Sequence, residues 1–193
     1  MKTKCVFGGF ILTSIAILSG CYSPEYSQNY VSPNEKDFEQ YKREAGNRPS
    51  PPNRTTATLG DTKVFITFCQ PAVKGRVIWG GLEEYDEIWR TGANEATVFS
   101  AMDDVLVNGD TIKAGNYALY TIPRKSDWTV ILNTKYDVWG AYDYEIEKDV
   151  LRFDVTPKTL PELVERMSFN IDTTGMVNFA WEKLGFSFEV TPI

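Results

Sequence analysis

No histidine occurs among the 193 residues of this chain. That single absence removes Ser-His-Asp and Cys-His catalysis, along with zinc or iron held by imidazole. Carboxylate, lysine and tyrosine chemistry remain. Positive charge is also short, with 20 Lys and Arg against 26 Asp and Glu and a net charge of −6. Two of the 20, Lys2 and Lys4, sit in an N-terminal leader, so the remainder is more acidic still. Nucleic acid and anionic headgroups are therefore poor candidates for main partners. Nothing in the motif content asks for a cofactor or a resident metal, and none is expected. Asp103, Asp104, Asn108 and Asp110 do cluster, but strand-type apolar residues interrupt them, and hairpin ends explain them without calcium.

Cysteine is nearly as scarce, with Cys5, Cys21 and Cys69 alone. The first apolar run, about Val6 to Leu18, follows Lys2 and Lys4 and ends in Leu18-Ser19-Gly20-Cys21. It falls short of the roughly 20 apolar residues a bilayer core requires. The layout is that of a signal peptide over residues 1–20, with a lipoprotein cleavage box before Cys21. Lipidation of the Cys21 thiol and acylation of the new amine, palmitate among the acyl chains, would anchor the protein to a membrane. The expected location is the cell envelope, facing the periplasm. Cys5 leaves with the leader and Cys21 is consumed, so Cys69 is a lone thiol. It follows Val64, Ile66 and Phe68, and with no base to activate it, it reads as buried structure.

Residues 21–53 are rich in Ser, Pro, Asn, Glu and Tyr and end near Pro49-Ser50-Pro51-Pro52, which reads as a flexible tether. A short helix over Glu35–Glu44, with Phe38 and Tyr41 on one side, is possible there but too small to stand alone.

From residue 54 to 193 the dominant period is two. Leu151, Phe153 and Val155 alternate with Arg152, Asp154 and Thr156. The pattern recurs at Val64-Ile66-Phe68, Tyr117-Leu119 with Tyr120-Ile122 on the other face, Met167-Phe169-Ile171, Val177-Phe179-Trp181 and Phe186-Phe188-Val190. Asn108-Gly109 is the favoured pair for a two-residue hairpin. Gly60-Asp61, Ala114-Gly115, Thr174-Gly175 and Leu184-Gly185 read as further turns. About nine short strands without intervening helices predict an all-β fold. The architecture expected is a single antiparallel β-sandwich with Greek-key or jelly-roll wiring.

Two segments break the rhythm, Gln70–Ala96 and Trp139–Tyr144. Lys74-Gly75-Arg76, the run Trp89-Arg90-Thr91-Gly92-Ala93-Asn94-Glu95-Ala96-Thr97, Ala114-Gly115-Asn116-Tyr117, Trp128 to Asn133 and Trp139 to Tyr142 together resemble an exported bacterial family, domain of unknown function 2911. The likeness runs from about Arg54 to Val190 and implies an exported, β-rich domain with no catalytic residues to carry over. Lys113 stands where relatives often have proline, and Gln70 where they often have arginine.

The first long segment has two readings. In one it is an ordered loop stapled by its own polar groups, with Arg90 and Asn94 satisfying backbone carbonyls and Trp79 and Trp89 plugging the core. On that reading Lys74 and Arg76 are solvated, and Glu83, Glu84, Asp86 and Glu87 form an acidic face. In the other, the two segments meet at one end of the sandwich and make a shallow ligand site. Lys74, Arg76 and Arg90 would meet a carboxylate or phosphate, and Asn94 and Glu95 would bind hydroxyls. Trp79, Tyr85, Trp89, Trp139 and Tyr142 would supply flat faces for a glycan, cell-wall fragment or peptide. A carboxylate-dependent hydrolase would further need Glu95 opposite Asp143 or Glu145. A purely structural envelope component would bury the whole set.

Overall fold

The computed structural model describes residues 28–193; the expected signal peptide and Cys21 lie outside them. Two short helices come first, α1 (Gln28–Val31) and α2 (Glu35–Ala45). Ten strands follow: β1 (Pro52–Leu59), β2 (Thr62–Cys69), β3 (Val98–Ala101), β4 (Val105–Val107), β5 (Asp110–Ile112), β6 (Gly115–Ile122), β7 (Trp128–Asn133), β8 (Asp149–Val155), β9 (Lys158–Ile171) and β10 (Met176–Pro192). They form a six-stranded sheet in the order β1-β2-β3-β6-β7-β8 and a four-stranded sheet in the order β5-β4-β10-β9. The pairings are antiparallel. The chain leaves the large sheet after β3, makes the β4–β5 hairpin in the small one and returns as β6.

Alternation accounts for the core. Val64, Ile66, Phe68, Phe99, Leu119, Trp128 and Val130 of the large sheet meet Val105, Val107, Phe169, Phe179, Trp181, Phe186, Phe188 and Val190 of the small one. Four tryptophans occupy the centre. Trp79 and Trp128 have ring centroids 4.6 Å apart, and Trp89 stacks on Trp181 at 5.7 Å. Both faces of the large sheet are covered. Residues of opposite parity, among them Phe65, Cys69, Val98, Ala118, Tyr120 and Ile131, are buried on its outer side.

Hairpin chemistry follows the residues. Leu59 pairs with Thr62 across Gly60-Asp61, and Val107 with Asp110 across Asn108-Gly109, whose φ values are 49° and 94°. Leu184-Gly185 departs from expectation and is no turn. It lies inside the 17-residue β10, which shifts register near Ala180, Glu182 and Leu184. Glu182 adopts φ 55°, and a Cβ on Gly185 would come within 2.7 Å of the Phe179 carbonyl oxygen, so the glycine permits a bend in a continuous strand.

The tether expectation is corrected for residues 28–53. Asn34 caps α2 by accepting from the Lys36 N–H at 3.1 Å, Glu35 and Asp37 open the helix, and Lys42 and Arg43 close it. Phe38, Tyr41 and Ala45 are buried on the large sheet's outer face. Polar pins add what the small apolar face lacks. The Tyr30 hydroxyl donates to the carbonyls of Thr67 and Ala96. Arg54 lies over the rings of Phe38 and Phe65, at 3.9 and 4.5 Å, and donates to the Tyr30 and Ser32 carbonyls.

Candidate functional site

The β2–β3 loop is ordered by successive short pairings. Its start pairs with β9, where Val73 donates to the Glu165 carbonyl at 2.8 Å and Met167 to the Pro71 carbonyl at 3.0 Å. Lys74 turns the chain at φ 48° and its backbone N–H binds the Glu165 carboxylate. Arg76 folds back on its own loop and donates to the Val73 and Ala72 carbonyls. These two cations are thus exposed features of the turn, and Arg76 acts as a staple. Trp79 and Glu83 then bridge around a tight bend whose Gly80 packs on Tyr85. Trp89 pairs with Thr121 of β6 through both backbone groups, at 2.8 and 2.9 Å.

Trp79 and Trp89 belong to the tryptophan core described above. Their neighbour Arg90 differs. Its Nε is buried without a hydrogen-bond partner, and none of the ion pairs among the described residues uses it. Opposite stands the β7–β8 loop. Gly140, at φ 76°, lets the guanidinium in, because a Cβ there would sit 2.4 Å from Arg90 Nη1. The two interruptions of the strand pattern therefore meet.

Between them lies a cavity of about 250 Å³ lined by Glu83, Ile88, Trp89, Arg90, Ala141 and Tyr142. Tyr142 is 83% exposed at its mouth. Burial pushes the Glu83 carboxyl up to about 7, against the pull of Arg90 and Arg76. The cavity thus places an unpaired cation, a carboxyl poised near neutrality and aromatic walls together. Glu83, expected as part of an acidic face with Glu84, Asp86 and Glu87, is set apart from them by its place in the cavity wall.

Asn94, Glu95 and Trp139 lie elsewhere. Asn94, at φ 59°, donates to the Ser50 carbonyl at 2.9 Å, and Glu95 pairs with Trp139 as an isolated bridge. The Glu95 carboxylate is 5% exposed as a residue and lies beneath the N-terminal segment. It accepts from the Tyr41 hydroxyl, from Arg48 Nη1 at 2.7 and 3.0 Å, and from the Cys69 thiol at 3.4 Å. Burial, aided by Glu95, pushes the Cys69 thiol up to about 12 and holds the Tyr41 phenol above its ordinary range. Cys69 is buried, as expected.

Glu95 is thus committed to structure. Glu145 pairs with Lys135 at 2.7 Å, and the cavity beside Arg90 is walled by Glu83 and not by Glu95, Asp143 or Glu145. The carboxylate pair that a hydrolase would use is not assembled there. No group of three or more metal-ligating side chains occurs among the described residues.

Two facing antiparallel sheets with a polar cavity between two of their loops define a β-sandwich domain with a loop-built pocket. The chain belongs to the family of proteins of unknown function DUF2911, whose model matches residues 50–190. Neither the comparison with curated proteins nor that with solved structures finds a match. The family match starts after α1 and α2, so Tyr41 and Arg48 reach Glu95 from outside the matched region.

Proposed function

We propose that this chain is a membrane-anchored envelope lipoprotein whose sandwich domain binds a small ligand, of glycan, cell-wall or peptide type, in the pocket beside Arg90. The observation that carries the reading is the unpartnered Arg90 guanidinium. A buried arginine nitrogen without an acceptor is costly, and a bound anion removes that cost. The exposed Tyr142 ring on the same wall offers a flat surface, the usual complement to a sugar or peptide plane. Anchoring rests on Leu18-Ser19-Gly20-Cys21, and the envelope address follows from it.

A thermal-shift screen of the purified protein against glycans, peptidoglycan fragments and peptides tests the binding. Stabilisation of the wild type that disappears in Arg90→Ala is expected. No shift from any compound would remove the reading. For the anchor, Cys21→Ser should lose the membrane-bound, processed form, and its persistence would contradict lipidation.

A further inference from the structure

Resting on that ligand-binding reading, we propose that the Arg90 pocket holds an α-carboxylate together with its own α-nitrogen, as at the carboxyl end of a peptide or in a free amino acid, beside an apolar side chain. Arg90 and Glu83 line one cavity, yet none of the ion pairs among the described residues joins them. A hydrogen-bond donor and an acceptor thus share a wall without satisfying each other. An α-amino-acid end brings the complement, an acceptor carboxylate and a donor nitrogen on the same carbon.

The donors favour a carboxylate. Of the lining side chains with buried N–H groups, Trp89 gives its indole proton to the Gly92 carbonyl at 3.2 Å, and Arg90 Nε has no acceptor. Arg76 keeps its charge and acts on Glu83 as Arg90 does, but it lies outside the lining and turns its guanidinium to the Val73 and Ala72 carbonyls. The site is therefore cationic with Glu83 in either protonation state, and its wall has one fork to offer. The two oxygens of a carboxylate match that planar fork, whereas a phosphate brings a third acceptor oxygen that no second fork in the wall meets. The remaining wall describes what the carboxylate is attached to. Ile88 and Ala141 present hydrocarbon, and no Ser, Thr, Asn or Gln lines the cavity among the described residues, so ring hydroxyls would lose water without gaining partners. An aliphatic side chain gains by the same move. Glu83 meets the α-nitrogen, a donor that a simple fatty acid lacks. The cavity of about 250 Å³ lies below the usual size for drug-like ligands and suits one residue.

Calorimetric titration of the full chain in detergent with N-acetyl-leucine, leucine, N-acetyl-leucinamide, 4-methylpentanoate and inorganic phosphate tests this. The amide lacks the carboxylate, and 4-methylpentanoate keeps carboxylate and side chain but lacks the nitrogen. N-acetyl-leucine or leucine should bind at least about tenfold more tightly than either of these and than phosphate. Tighter N-acetyl-leucine supports the inference with a peptide end as the source, and tighter leucine supports it with a free amino acid. Arg90→Lys, which keeps the charge and loses the fork, should weaken binding at least about tenfold. Glu83→Leu, checked for a native near-ultraviolet circular dichroism spectrum, should erase the preference over 4-methylpentanoate. Equal binding of 4-methylpentanoate or the amide by the wild type, or tighter phosphate, overturns the inference and leaves the pocket's binding role standing. So does silence of both leucine compounds while another compound of the thermal screen binds through Arg90. Silence of every compound overturns both.

Discussion

Arg48 Nη1 lies 2.7 and 3.0 Å from the two carboxylate oxygens of Glu95 and so ties the N-terminal segment to the run that links the tryptophan loop to β3. The acid is buried while the base is about a third exposed. Loss of the two partners therefore has unequal consequences. Arg48→Met leaves a buried carboxylate with only Tyr41 and Cys69, and is expected to cost about 2–4 kcal/mol. Glu95→Gln leaves no buried charge and should cost less. Urea unfolding of both variants and the double variant would measure the coupling. Costs that simply add would show that the pair contributes little.

Glu83 should make stability fall as pH rises. Its folded-state value of about 7 lies above the ordinary 4.5, so its contribution is present below about pH 4.5 and lost as pH climbs through 7. Glu83→Gln should therefore be more stable than the wild type at pH 8, on the order of 1–2 kcal/mol, with the difference vanishing near pH 4. Equal denaturation midpoints at pH 8 would contradict the burial of this carboxyl.

The Cys69 thiol should resist modification at pH 8 in the folded protein and react fully in denaturant. Because its folded value is raised to about 12, it supports the fold below the ordinary thiol range and loses that support as pH rises toward 12. Cys69→Ala should flatten part of the alkaline loss of stability. Rapid labelling of native protein by a thiol reagent would mean that α2 does not stay seated.

Gly140→Ala should collapse the pocket. The new methyl group would lie 2.4 Å from Arg90 Nη1 at a backbone φ of 76°, so both crowding and conformation oppose it. A loss of about 1–3 kcal/mol in unfolding, with ligand-induced stabilisation abolished, is expected.

Phe38→Ala should loosen the N-terminal segment. The ring is buried and lies under the Arg54 guanidinium, so its loss should cost about 3–4 kcal/mol. Hydrogen exchange should rise across α2 before it rises in β6 or β7. Uniform exchange would show that the helices and the sandwich unfold as one unit.

What the residues disclose without coordinates depends on whether a signal is local. Val64-Ile66-Phe68 and Leu151-Phe153-Val155 carry their burial in their alternation, and Asn108-Gly109 carries its turn in backbone preference. Arg90 and Tyr142 were legible because they fall where alternation stops. Tyr41 and Arg48 were not, since their partner Glu95 lies 54 and 47 positions away and the surrounding composition resembles a spacer. Glu83 was hidden among like-charged neighbours, because only the cavity distinguishes it. Leu184-Gly185 misled because a glycine that relieves a bend and one that reverses a chain leave the same trace in sequence.

The seating of α1 and α2 bears on the proposed anchor. From Cys21 to Gln28, where α1 begins, is seven Cα steps, so a lipid on Cys21 would hold the helices within a span of at most about 25 Å. The sandwich would then ride within one small-protein diameter of the headgroups, sampling the layer of envelope nearest its own membrane and nothing farther out.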